Sequence, residues 1–157
     1  MRGRAASFGD FKCTHCSAIV SSAHIHSGVN NRNHCPYCLW SCHLDLFSAG
    51  DRISACKAPM KPIGLTMKNP RNRYRLEAGG ELLLIHECIE CCAVSINRIA
   101  ADDDPSTMIS IFIESCSHGD EVNNVLEGYG ITLLRAEDIG IVRAGLYGHI
   151  GEILLNI

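Results

Sequence analysis

Over the first two thirds of this chain, apolar positions come in short runs broken by turn-forming residues; over the last third they recur at helical spacing. Ala18-Ile19-Val20 reads as a short strand. Ser21–Asn33, rich in Ser, Asn, Gly and His, has no apolar period and reads as a loop. Leu39–Phe47 sets Leu39, Ser41, His43, Asp45 and Phe47 on one face of a further strand, closed by a turn at Ser48–Arg52. Between Lys57 and Arg75, Pro59, Pro62 and Pro70 argue against a helix, because proline lacks the N–H a helix needs; extended or looped backbone remains. Gly79-Gly80 then turns into Glu81–His86, a compact apolar run that reads as a strand.

The character changes after Ala101. Asp104 is placed to cap a helix with Pro105 at its first position, and Met108, Ile109, Phe112, Ile113 and Cys116 follow at helical spacing up to a stop at Gly119. A second helix runs from Asp120 through Val122, Val125 and Leu126 to Gly128. In a third apolar segment, 131–147, Gly140 and Gly145 weaken the helical reading, and the tail 150–157 reads as a strand.

Ten cysteines give this pattern its purpose. Three Cys-x-x-Cys turns stand at Cys13/Cys16, Cys35/Cys38 and Cys88/Cys91, the second stiffened by Pro36. Two such turns at the distance separating the first pair are the signature of a tetrahedral zinc site with four thiolate ligands. The third turn needs two more ligands. Cys56 stands apart from any turn, and His43 is the choice for the last position, with Asp45 two residues on to orient its ring. His15 and His34 are alternatives that more often pack beside a knuckle than replace a thiolate. Cys42, Cys92 and Cys116 read as small apolar side chains. The expected fold is α+β: a zinc-ribbon-like β domain over residues 1–104 holding two Zn2+ ions, then an acidic, mainly helical extension over 105–157.

The motif order resembles a known family. Arg32-Asn33-His34-Cys35-Pro36, Cys38-Leu39, Ser41-x-His43-x-Asp45, Gly50-Asp51-Arg52, Cys56, Met60-x-Pro62-Ile63, His86-x-Cys88-x-x-Cys91, Asn97-Arg98 and Asp102-Asp103 together look like the RNHCP-domain proteins, small bacterial zinc-binding proteins. The resemblance covers about residues 8–104. It implies that His43 and Cys56 belong to the motif set. The family usually has glycine after the third knuckle, where this chain has Cys92.

Charge narrows the function classes. Residues 1–76 hold eleven Lys/Arg against three Asp/Glu, a balance of +8, whereas residues 77–157 hold three against fourteen, a balance of −11. Arg52, Lys57, Lys61, Lys68, Arg71, Arg73 and Arg75, interleaved with Tyr74, form a basic stretch without an acidic residue. RNA or a ribonucleoprotein of the translation apparatus is the expected partner. Two other classes stay open: a metalloenzyme with one open zinc position, and an adaptor whose acidic C-terminal part docks a basic protein. No apolar run approaches the length of a membrane span and no secretory leader is evident, so the chain is expected in the cytoplasm, where ten cysteines point to metal rather than disulfides.

Overall fold

The computed structural model describes residues 9–68 and 80–148. Arg71, Arg73, Tyr74, Arg75 and the tail 150–157 lie outside the described residues. Two antiparallel sheets carry the first part. Strand β1 (Phe11–Lys12) pairs with β2 (Ile19–Val20). A four-stranded sheet then orders β3 (Ser41–Cys42), β4 (Pro59–Lys68), β5 (Glu81–Cys88) and β6 (Val94–Arg98) in sequence.

Every residue from Leu82 to His86 is buried, because β5 is covered on both faces. Leu82 and Leu84 join Leu65, Met108, Phe112 and Val142 in the main core. Ile85, pointing the other way, packs with Leu126 and Leu133. The helices therefore share their core with the sheet. They are α2 (Pro105–Ser115), α3 (Asp120–Gly128) and α4 (Ile139–Tyr147), preceded by the short α1 (His24–Ser27). Beyond its two-residue pairing with β3, the outer edge of β4 is shielded by residues 132–134: Leu134 donates its N–H to Leu65 O at 2.9 Å, and Thr66 Oγ1 donates to Thr132 O at 2.7 Å.

The α+β class and the ribbon-like arrangement hold, with local corrections. The strand expected over Leu39–Phe47 shrinks to Ser41–Cys42. Leu39 sits at φ 61°, and after His43 the chain is drawn into a loop by two carboxylates. Asp51 accepts N–H bonds from Leu46, Phe47, Ser48 and Ile53, and Asp45 accepts from Gly50 and Arg52. These bonds hold Asp51 down to about 2, the N–H of Leu46 contributing most. The stretch 21–33 contains α1, one helical turn closed by Gly28 at φ 70°. In α2, Asp104 caps Thr107 N at 3.0 Å, but the buried stripe is Met108, Ile111, Phe112 and Ser115, which leaves Ile113 60% exposed. Gly119 opens α3 instead of closing α2. The segment 139–147 is helical despite its glycines. At Gly145 a Cβ would come within 3.1 Å of Leu82 Cδ2, so the glycine lets α4 lie close on β5. Among the described residues no helix is long and apolar enough to cross a membrane.

Candidate metal centres

The three Cys-x-x-Cys turns share one backbone design. In each, the first cysteine donates its N–H to the carbonyl five residues on: Cys13 to Ala18 at 2.8 Å, Cys35 to Trp40 at 2.9 Å, Cys88 to Ala93 at 2.8 Å. Its own carbonyl receives the N–H four residues on, from Ser17, Leu39 and Cys92 at 2.9–3.0 Å. Those three residues are all left-handed, at φ 66°, 61° and 59°. Glycine would adopt that conformation without strain, so Cys92 bears a backbone cost at the position where the family usually has glycine.

The knuckles assemble into two groups of four. Cys13, Cys16, Cys35 and Cys38 converge between the β1–β2 hairpin and the turn before β3. His43, Cys56, Cys88 and Cys91 converge where the β3–β4 and β5–β6 connections meet. In each group all four ligand atoms lie within 4.8 Å of one another. The sulfurs of Cys13 and Cys38 are 3.6 Å apart, those of Cys16 and Cys35 3.5 Å, and those of Cys56 and Cys88 3.6 Å. Cys91 Sγ is 3.3 Å from His43 Nδ1. A tetrahedral zinc with Zn–S bonds near 2.3 Å sets its sulfurs roughly 3.7 Å apart, so both groups have the size and donor chemistry for that ion. All ten cysteines are free of disulfides.

Electrostatics argue the same way. Burial pushes the Cys35 and Cys38 thiols up, so a nearby cation favours their thiolate forms, while the backbone N–H of Ala18 holds Cys16 down. In the second group burial opposes ionisation of Cys88. The N–H groups of Cys91 and Glu90, with the thiols of Cys91 and Cys56, overcome it and bring Cys88 down to about 6. Each group offers four protein donors, the number that a closed, fold-building zinc site uses. The remaining cysteines join neither group. Cys42 is half-buried and bonds Lys57 O at 3.2 Å, its thiol pushed up by burial, and Cys116 bonds Phe112 O. Cys92 is exposed, contrary to the buried apolar role expected for it.

Around the ligands lies a scaffold of buried polar contacts. Arg32 is 4% exposed and donates to Asp102 Oδ2 at 2.7 Å, to Asp103 Oδ1 at 3.4 Å and to His34 O at 3.1 Å. His34 Nε2 lies 2.7 Å from Asp103 Oδ2, and Asp104 donates its N–H to Pro36 O at 2.9 Å. Arg32 and His34 therefore brace the knuckle against the turn that starts α2, and His34 is no ligand. His15 is none either: its ring stacks on Trp40, centroids 4.2 Å apart and planes 4° from parallel. His86 donates from Nε2 to Leu39 O at 2.7 Å and accepts from Asn97 Nδ2 on Nδ1 at 2.8 Å, tying β5 to the second knuckle. Burial, then the nearby His34, pushes its imidazole down to about 3, so it stays neutral in that role.

This braced pentapeptide and the two ligand groups agree with what the comparisons find. A family model described as the RNHCP domain matches residues 8–109. The chain belongs to the RNHCP-domain family. The match runs past residue 104 into the first turns of α2, as expected if Asp102–Asp104 are anchored to the pentapeptide. Neither the curated proteins nor the solved structures give a significant match.

In this RNHCP-domain chain, four of the residues expected to meet nucleic acid, Arg52, Lys57, Lys61 and Lys68, lie among the described residues. Arg52 lies 3.8 Å from Asp45 and donates to Arg32 O at 3.2 Å, so it serves the scaffold. It also shows that Asp45 is turned to its own loop and to Arg52, and not to the His43 ring. On β4, Lys61 stands opposite Glu87 and Lys68 opposite Glu81. Lys57 is exposed beside Cys56. Asn97 braces His86, and Arg98 pairs with Glu81 at 2.6 Å. Reading charge along the chain missed Lys12, Asn33 and Trp40, which meet Lys57 at one cavity beside the first metal group. The signal for them was the lone tryptophan, two residues past a knuckle.

Proposed function

We propose that this chain is a zinc-ordered RNA-binding module. Two Zn2+ ions, each closed by four protein ligands, build the scaffold, and the cationic N-terminal half meets RNA or a ribonucleoprotein. The observation that supports the reading is the gathering of eight donors into two groups of four: with a zinc in each, the metal chemistry goes into folding and what remains for function is a surface. The +8 balance of residues 1–76 favours a polyanion, and thiolate sites of this kind persist in the reducing cytoplasm. Zinc content of two per chain together with RNA retention that falls steeply with salt tests the reading. Reversing Lys61, Lys68, Arg71 and Arg73 to glutamate together abolishes that retention. A wild-type chain carrying two zincs that retains no RNA at low salt sinks the idea.

A further inference from the structure

Four of the five residues of the Arg32–Pro36 pentapeptide are spent on the scaffold. Arg32 and His34 are buried against Asp102 and Asp103, Cys35 is a ligand, and Pro36 accepts a bond from Asp104 N. Asn33 differs. Its carbonyl accepts from Ser41 Oγ at 3.1 Å, but among the described residues its side-chain amide makes no hydrogen bond. That amide offers two donors and an acceptor, and Asn33 lines a cavity of about 400 Å³ next to the first metal group as well as two neighbouring cavities.

The rest of the lining has a consistent chemistry. Phe11 and Trp40 supply aromatic surface, and the His15 stack fixes the Trp40 ring. Lys12 and Lys57 are exposed at the border, and among the described residues neither has an ion-pair partner. Among the described residues no carboxylate lines the cavity. Its volume falls at the lower end of the roughly 300–1,000 Å³ that small-molecule sites occupy. Stacking surface, an edge-reading amide and two cations at the mouth are what one unit of single-stranded nucleic acid requires.

We infer that this cavity receives a single nucleotide of an RNA strand: the base lies against Trp40 and Phe11, Asn33 bonds its edge, and Lys12 and Lys57 hold the flanking phosphates. The inference rests on the RNA reading above and names the place where the strand is gripped. Its sharpest consequence is optical, because Trp40 is the only tryptophan in the chain.

The test titrates the zinc-loaded full chain with a hexamer of uridine and with one of adenosine, following Trp40 emission and, separately, filter retention. Saturable change in the emission is expected, weakening with salt. Lys12→Ala, Lys57→Ala and Asn33→Ala should each weaken it at least threefold while zinc content and circular dichroism stay unchanged. Asn33→Ala should also narrow the difference between the two hexamers. Retention without any change at Trp40 overturns the cavity and leaves RNA binding standing elsewhere. No retention of either hexamer by the folded, zinc-loaded chain overturns both. The same emission change from inorganic phosphate at equal concentration reduces the site to an anion contact and overturns the base-binding claim.

Discussion

Nε2 of His34 lies 2.7 Å from Oδ2 of Asp103 across 69 residues of chain, and both side chains are almost completely buried. Asp103 also holds Arg32 at 3.4 Å and receives the N–H of Ala100 at 2.8 Å. One carboxylate thus collects an arginine, a histidine and a backbone amide behind the second knuckle. It connects the metal-bound part of the chain to the helix that completes the core.

Removing that carboxylate leaves the buried His34 ring without its Nε2 partner and leaves Arg32 with Asp102 alone. Asp103→Ala should destabilise the zinc-loaded protein by about 3–5 kcal/mol, the cost of breaking a buried ion pair from one side. Asp102→Ala should cost much less, since its carboxyl is 34% exposed and Asp103 remains for Arg32. Denaturant unfolding of both variants checks the order; equal effects would mean that Asp103 is not the hub.

Metal removal should proceed in two steps. In the first group Cys13 and Cys35 are buried, whereas in the second only Cys88 is, with Cys56 and Cys91 exposed and His43 half-buried. A chelator reaches the second group first, because only one of its four donors is buried. A colorimetric chelator should therefore release one zinc rapidly and one slowly. His43→Ala should erase the fast phase and keep the slow one. A single phase for two zincs contradicts this reading.

The loop 45–53 depends on ionised Asp51. Its folded value is depressed to about 2 from an ordinary value near 3.9, so its contribution is complete above the ordinary value and is lost only as pH falls towards 2. Asp51→Ala should accordingly speed amide exchange at Leu46, Phe47, Ser48 and Ile53, by the same factor at every pH between 5 and 8. A factor that changes within that window assigns the bonds to a different group.

How much of this was readable beforehand follows from distance along the chain. The knuckle pairs are local, since two cysteines three residues apart specify the turn that holds them. The α2 start was readable for the same reason, Asp104 and Pro105 being adjacent. Arg32 and Asp103 meet across 71 residues and carry no periodic signal, so the brace emerges only from the fold. Charge counting along 52–75 meets a different limit. It cannot see that register sets Lys61 opposite Glu87, or that Asp45 and the Arg32 carbonyl engage Arg52. Of the α2 positions at helical spacing, Met108, Ile109, Phe112 and Cys116 join the core and Ile113 does not. Ile113 lies at the edge of the apolar arc, and the sheet selects Ile111 and Ser115 instead.

Gly64 tests how tightly the C-terminal segment closes on β4. It follows the bulge between Pro62 and Gly64, opposite Ile85, and a Cβ there would lie 2.4 Å from Leu133 Cδ1 and 3.3 Å from Ser115 Cβ. Leu133 is buried and adjoins Leu134, whose N–H bonds Leu65 O, so its side chain has little room to retreat. Gly64→Ala should cost about 1–3 kcal/mol, the usual penalty of overpacking a closed core. Much of the cost should be recovered in Gly64→Ala/Leu133→Val, where the clashing methyl is withdrawn. A double-mutant cycle measures the coupling. If the two changes are simply additive, Leu133 does not pack over Gly64 and the segment 131–134 does not seal that edge.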